Sequence, residues 1–284
     1  MAKQHEIEYP VRIGEAALAG AARKPFSEPG CGRHLVRIGT LMTLLPPAPA
    51  RVLDLGCGTG WTSLFFARAG YAVVGVDIAP EMVRMADGLR AADGLANLTF
   101  VASDYEQLNF RDEFDAVVFF DSLHHAEDEG LAVAKAFAAL KPGGVFLAEE
   151  PGAGHASAAE TQAAVAQYGV TEKDMPPARV IELGRAAGFT GFRVFPHPDE
   201  LAAEVYSKRA GVVADPFAET DPAQAAAEAP SLARRLAWLV RRVLRGRQPP
   251  PPWHLPGVEH LILGVRSNGL VLMRKGEVGP PPGR

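Results

Sequence analysis

Between Arg51 and Phe195 short apolar runs alternate with longer stretches whose apolar positions recur every three or four residues. Residues 51–55, 71–76, 97–102, 114–120, 145–148 and 192–195 have the length and β-branched or aromatic content of strands. Residues 114–120, FDAVVFF, are apolar on both faces, as a strand buried in the middle of a sheet must be. Residues 61–69, 80–91, 127–140 and 176–187 read as helices, the third stopped by Lys141-Pro142-Gly143-Gly144 and the fourth by Gly188. Strand and helix in strict alternation with short connections predict a parallel sheet with helices on both faces.

The flanks read differently. Pro46-Pro47-Ala48-Pro49 separates a first segment, 1–50, expected to form a helical cap, from the alternating core at 51–198. An Ala- and Pro-rich insert, irregular or helical, occupies 199–256. The final segment, 257–284, holds two β-rich runs, HLILGVR and LVLMRK, on either side of Ser267-Asn268-Gly269. That spacing predicts an antiparallel hairpin closing one edge of the sheet, followed by a disordered tail.

Composition narrows the class. The chain has 284 residues, 48% of them hydrophobic and 22% charged, with a net charge of −4. Such a balance does not draw the whole chain to nucleic acid. Two cysteines, Cys31 and Cys57, make no disulfide framework and fit a reducing, cytoplasmic setting. No apolar run is long enough for a transmembrane segment. One local departure is residues 231–248, SLARRLAWLVRRVLRGRQ. There Leu232, Leu236, Leu239, Val240, Val243 and Leu244 share one helical face, and arginines fill the other with Trp238 among them. The plain reading is a surface helix. The functional one is contact with an anionic partner, a phosphate-bearing precursor or lipid headgroup, which would make the chain peripheral at a membrane surface.

The first strand runs directly into three glycines, VLDLGCGTGW. In an open parallel sheet ligands bind beyond the carboxyl ends of the strands, where strand order reverses. Gly56, Gly58 and Gly60 sit there, free to adopt turn angles and to let a ligand meet the backbone. Asp77 ends the second strand about twenty residues on, as an acid for ribose hydroxyls does. Dinucleotide-binding dehydrogenases space their glycines G-x-G-x-x-G. Here the third comes one residue earlier and Trp61 fills the expected slot, which argues against a nicotinamide oxidoreductase.

The G-x-G-x-G loop behind Asp54 resembles the first motif of the class I S-adenosylmethionine-dependent methyltransferases. VVGVDIAPEMV, VASDYEQL, FDAVVFFDSLHH and LKPGGVFLAEE resemble the family's following segments in order, to about Glu150. The resemblance implies a Rossmann-like, doubly wound α/β fold with a mostly parallel seven-stranded sheet, and S-adenosyl-L-methionine as cofactor. By it, Asp54, Gly56, Cys57, Gly58 and Gly60 hold the methionine end and Asp77 the ribose. Ile78 and Met82 then pack near the adenine, Asp104 meets its amino group, Tyr105 flanks the ring, and Asp121 follows strand four. Cys57 is read as a small spacer, not a nucleophile.

A sulfonium donor is already activated, so the protein need only bind, orient and exclude water, plus supply a base where the acceptor is a hydroxyl. His125 and His155, after strands four and five, are the candidate bases, and no metal is assigned. For His124 and His125 alike the plain reading is a structural histidine, as the resemblance implies for residues after this strand; Glu150 is either a substrate acceptor group or a helix cap. The N-terminal segment, with Tyr9, Phe26 and His34, is expected to form helices that cover the cofactor and help shape the acceptor pocket. The acceptor is expected to be a small molecule or saccharide methylated on a hydroxyl oxygen. EEPGAGHA and YGVTEKDMPP are similar to methyltransferases of bacterial surface-glycan biosynthesis. The alternatives are a lipid or quinone acceptor and a non-catalytic S-adenosylmethionine-binding module.

Overall fold

The structure, a computed structural model, describes residues 2–197 and 269–276. The insert at 199–256, the basic segment at 231–248, the run HLILGVR and the tail beyond 276 lie outside the described residues.

Three helices come first: α1 (Ala2–Ile13), α2 (Glu15–Ala21) and α3 (Cys31–Leu44). The alternating core follows as β1 (Arg51–Leu55), α4 (Trp61–Arg68), β2 (Ala72–Asp77), α5 (Pro80–Ala92), β3 (Leu98–Ala102), β4 (Phe114–Phe120), α6 (Glu129–Ala139) and β5 (Leu140–Glu149). Then come α7 (Ala159–Tyr168), α8 (Pro177–Ala187), β6 (Gly191–Phe195) and β7 (Leu270–Arg274). Among the described residues the sheet has seven strands in the order β3-β2-β1-β4-β5-β7-β6. β1 to β5 pair in parallel, while β7 runs antiparallel to both β5 and β6.

The doubly wound expectation holds, and the apolar alternation within the strands explains it. Val52, Val118, Phe120 and Leu147 pack with Ile38 and Leu41 of α3 and Leu64, Phe66 and Ala67 of α4 on one face. Leu53, Leu55, Val117, Phe119 and Phe146 meet Ala132, Val133 and Ala136 of α6 and Val180 and Leu183 of α8 on the other. Central strands apolar on both faces can be buried only with helices on each side.

Two expectations need correction. β7 does not close the edge; it is inserted between β5 and β6, and β6 is the terminal strand. Lys141-Pro142-Gly143-Gly144 lies within β5 as an irregularity, since Phe114 pairs with Leu140 while Ala116 already pairs with Val145. A bulge of this kind absorbs extra residues in a ladder. α7 is an element that the apolar pattern does not announce: among its ten residues, AETQAAVAQY, alanines leave no marked face.

Candidate active site

Strand order reverses between β1 and β4, and a cavity of about 650 Å³ opens there, within the usual range for small-molecule sites. Its floor is the β1–α4 loop and the ends of β2 and β4; α1 and α2 line it from the N-terminal segment. Gly56, Cys57, Gly58, Asp77, Ile78, Met82, Asp104, Tyr105 and Asp121 all line it. Asp54 and Gly60 do not.

The three glycines have different reasons to be glycine. A Cβ on Gly56 would sit 2.4 Å from Ser122 Cβ, and one on Gly60 would sit 2.6 Å from the Phe100 ring. Both make room for protein. Gly58, at φ +55°, has nothing within 4 Å of such an atom, so it presents bare backbone to the cavity. Asp54 is a correction of another kind. Buried at 1% exposure beneath the loop, it accepts hydrogen bonds from Thr62 Oγ1 (2.6 Å) and Ser63 Oγ (2.5 Å) on Oδ2. It ties β1 to the first turn of α4 and sets the loop, rather than facing a ligand. Burial lifts its carboxyl to about 6 against those two hydrogen bonds.

Asp77 is half-buried at the cavity wall. Oδ2 accepts from Gly58 N (2.8 Å) and Oδ1 from Ala79 N (2.9 Å), so the acid holds the glycine loop and keeps lone pairs toward the cavity. Burial raises its carboxyl, and the two amides oppose the rise. Asp104 caps the short turn 105–107 through Glu106 N and pairs with Lys3 of α1, which also reaches Glu106 Oε2 at 2.7 Å. Tyr105 donates its hydroxyl to Ser122 O (3.1 Å) and stacks edge-on to Phe119. Asp121, exposed, follows β4 at φ +55°, a conformation uncommon for a residue other than glycine.

Beyond the Tyr105 wall lies a histidine–carboxylate cluster. Glu150, at the end of β5, accepts from the backbone N–H of Ser122, Leu123 and His124 and contacts His124 Nδ1 at 2.7 Å. Glu150 thus holds the turn after β4 through these backbone amides. His124, 3% exposed, lies between Glu150 and Glu172, whose Oε2 is 3.4 Å from Nε2. Burial opposes its ionisation, yet the hydrogen bonds to Glu150 and Glu172 raise it to about 10. Glu172, which the motifs do not reveal, also accepts from His155 Nε2 (2.8 Å). Against burial, the His124 bond, the His125 charge and the His155 bond hold it down to about 2.

His125 lines the main cavity, and its Nδ1 lies 2.7 Å from Thr171 O. A carbonyl can only accept, so Nδ1 carries the proton and a neutral ring keeps its lone pair on Nε2. His155 lines a neighbouring cavity of about 400 Å³ with Arg33, Arg37 and Glu149. His34 and Tyr9 reach cavity walls, but Phe26 does not; it is 70% exposed. Glu149 pairs with Arg37 at 2.7 Å, and burial pushes its carboxyl up to about 8 despite the guanidinium.

Comparison with known proteins agrees with this geometry. Residues 52–144 match the family described as a methyltransferase domain. A ubiquinone biosynthesis O-methyltransferase of Xanthomonas axonopodis pv. citri (strain 306) is 36% identical over 115 residues, 39% of this chain and 48% of that protein. A second, from Bradyrhizobium sp. (strain ORS 278), is 34% identical over 97 residues, 34% of this chain and 38% of that one. The chain thus spans half or less of the length of these curated relatives. Among solved structures, phosphoethanolamine N-methyltransferase 2 of Haemonchus contortus, crystallised with S-adenosyl-L-methionine, superposes with a TM-score of 0.55 at 17% identity. That match covers 96% of this chain and 56% of the other, and at such identity it carries the fold alone. Over residues 52–144 the chain is therefore similar to the family described as a methyltransferase domain, and that stretch forms the part of the Rossmann-like sheet at whose switch point the cavity opens.

Proposed function

We propose that the chain transfers a methyl group from S-adenosyl-L-methionine to a hydroxyl oxygen of a small-molecule acceptor, and that the acceptor is apolar, of the quinone or lipid class. The observation that carries the donor is the pairing of Gly58 with Asp77: open backbone and a ribose-directed acid, 2.8 Å apart, on one cavity wall at the switch point. Ile78, Met82 and Tyr105 suit an adenine, and Asp104 and Asp121 complete the polar lining. Asp54 and Gly60 act beneath it as positioning residues. For the acceptor, the naming of curated relatives as ubiquinone biosynthesis O-methyltransferases favours a quinol over the saccharide of the glycan branch. Exposed Phe26, between the cavity-lining Pro25 and Ser27, supports an apolar approach.

Catalysis on this reading is chiefly alignment of acceptor oxygen, methyl and sulfur, worth about 7–11 kcal/mol in ideal intramolecular cases. The acceptor proton passes to His125 or His155, which line cavities, whereas His124 is buried between two carboxylates. The test begins with calorimetric titration of S-adenosylhomocysteine and NAD. Asp77→Ala removes hydrogen bonds of about 1.5–3 kcal/mol each and weakens the first ligand at least tenfold. Gly58→Val abolishes its binding. Unchanged affinity in Asp77→Ala puts the site elsewhere; NAD binding in its place ends the methyltransferase reading. Turnover with a polyprenylated catechol and with a nucleotide sugar then decides the acceptor. A fall of less than about tenfold, or 1.4 kcal/mol, in both His125→Ala and His155→Ala leaves alignment without a base.

A further inference from the structure

The methyl-transfer reading uses His125 and His155 one at a time and leaves Glu172 unexplained. Yet one ring nitrogen of His124, one of His125 and one carboxylate oxygen of Glu172 all lie within 4.8 Å of one another. We propose that these three side chains bind a divalent first-row transition ion of the zinc class, with an open coordination position facing the main cavity.

Three features of the cluster support a site rather than a chance meeting of side chains. The first is spacing. Metal–ligand bonds of 2.0–2.2 Å around a tetrahedral ion put neighbouring ligand atoms about 3.4 Å apart. His124 Nε2 and Glu172 Oε2 already stand at 3.4 Å. The widest separation in the trio must close by no more than about 1.4 Å to reach that edge.

The second is orientation. Ligating histidines nearly always donate the other ring N–H to a carboxylate or a backbone carbonyl. His124 Nδ1 meets Glu150 at 2.7 Å and His125 Nδ1 meets Thr171 O at 2.7 Å, one of each kind. Glu150 is itself fixed by three backbone amides, and Glu172 is held by His155 Nε2. Both rings are thus aimed by their outer nitrogens and turn Nε2 to an ion, which His124 meets by giving up its Nε2 proton as metal binding releases it to solvent.

The third is access. His125 and Glu172 line the main cavity, so an ion has a path in and an exchangeable position to offer. Two imidazoles and one carboxylate suit zinc and its neighbours better than magnesium or calcium, which prefer oxygen. Where the methyl-transfer reading holds, the open position takes the acceptor oxygen, and His155 becomes the remaining candidate base. The metal site itself does not depend on that reading.

The experiment uses the full chain, free of any affinity tag and stripped with a chelator, titrated with zinc chloride by calorimetry and with magnesium chloride as control. One zinc per chain at micromolar affinity or better, with no magnesium binding, is expected. His125→Ala and Glu172→Gln should each weaken zinc by at least about tenfold. Zinc should raise the melting temperature of the wild type but of neither variant. Circular dichroism identifies folded variants, and if one fails to fold the other decides. Wild-type affinity weaker than about 100 µM, or a folded variant within threefold of wild type, overturns the proposal and leaves the trio an ion-pair network. S-adenosylhomocysteine titrated separately reports the cofactor site, so failure of one reading is not mistaken for failure of the other.

Discussion

Asp54 shows how a residue's place in a motif does not give the direction of its side chain. Its place before the glycines marks the loop, but its side chain faces Thr62 and Ser63 under that loop. A linear motif records that an acid is needed, not which way it points, because direction depends on where α4 packs. The buried carboxyl ionises at about 6 instead of 3.8. A raised acid adds stability that is fully present below pH 3.8 and is lost as pH rises through 6. Asp54→Asn should therefore gain on the wild type between pH 3.5 and 7, by about 3 kcal/mol at 1.4 kcal/mol for each pH unit. Urea melts at the two pH values measure this; a difference that does not change with pH rules out a charge penalty. Glu172 had no sequence signal at all, since its partners His124 and His155 lie 48 and 17 residues away.

At the scale of elements, α1 is bound to the core by polar contacts, not by an apolar stripe. Lys3 reaches Asp104 and Glu106, His5 meets Gly169 O at 2.9 Å, and Glu6 accepts from Thr171 N at 2.6 Å. α1 and α2 line the cavity, and the contacts that hold α1 there join residues more than a hundred positions apart. Lys3→Ala leaves Asp104 and Glu106 without their shared cation. S-adenosylhomocysteine should then dissociate about tenfold faster, equivalent to 1.4 kcal/mol. Stopped-flow release against the wild type is the measurement, and an unchanged rate means that α1 does not retain the ligand.

For the whole molecule, the decisive feature is β7. Four of its five residues are buried, and it bonds β5 on one side and β6 on the other. Burial of Leu270, Val271, Leu272 and Met273 is worth about 1.5–3 kcal/mol each. That total rivals the 5–15 kcal/mol by which a typical domain is stable. A chain ending at residue 268 should fail to fold cooperatively, seen as loss of a sharp thermal transition by circular dichroism. A sharp transition within a few degrees of wild type would show that β6 can stand without its neighbour.

Taken alone, the order of apolar runs determined the βαβ alternation, the parallel pairing of β1 to β5 and the position of the glycine loop at the sheet's mouth. These follow from local period and chain connectivity, which a sequence carries directly. The inserted place of β7, the downward turn of Asp54, the division of labour among Gly56, Gly58 and Gly60, and the meeting of His124, His125, His155 and Glu172 were decided by tertiary structure. Each depends on which distant side chain arrives within a few ångströms: Ser122 at Gly56, Phe100 at Gly60, Glu172 at His124. Such contacts arise from the packing of whole helices on the sheet, which no local pattern of residues encodes.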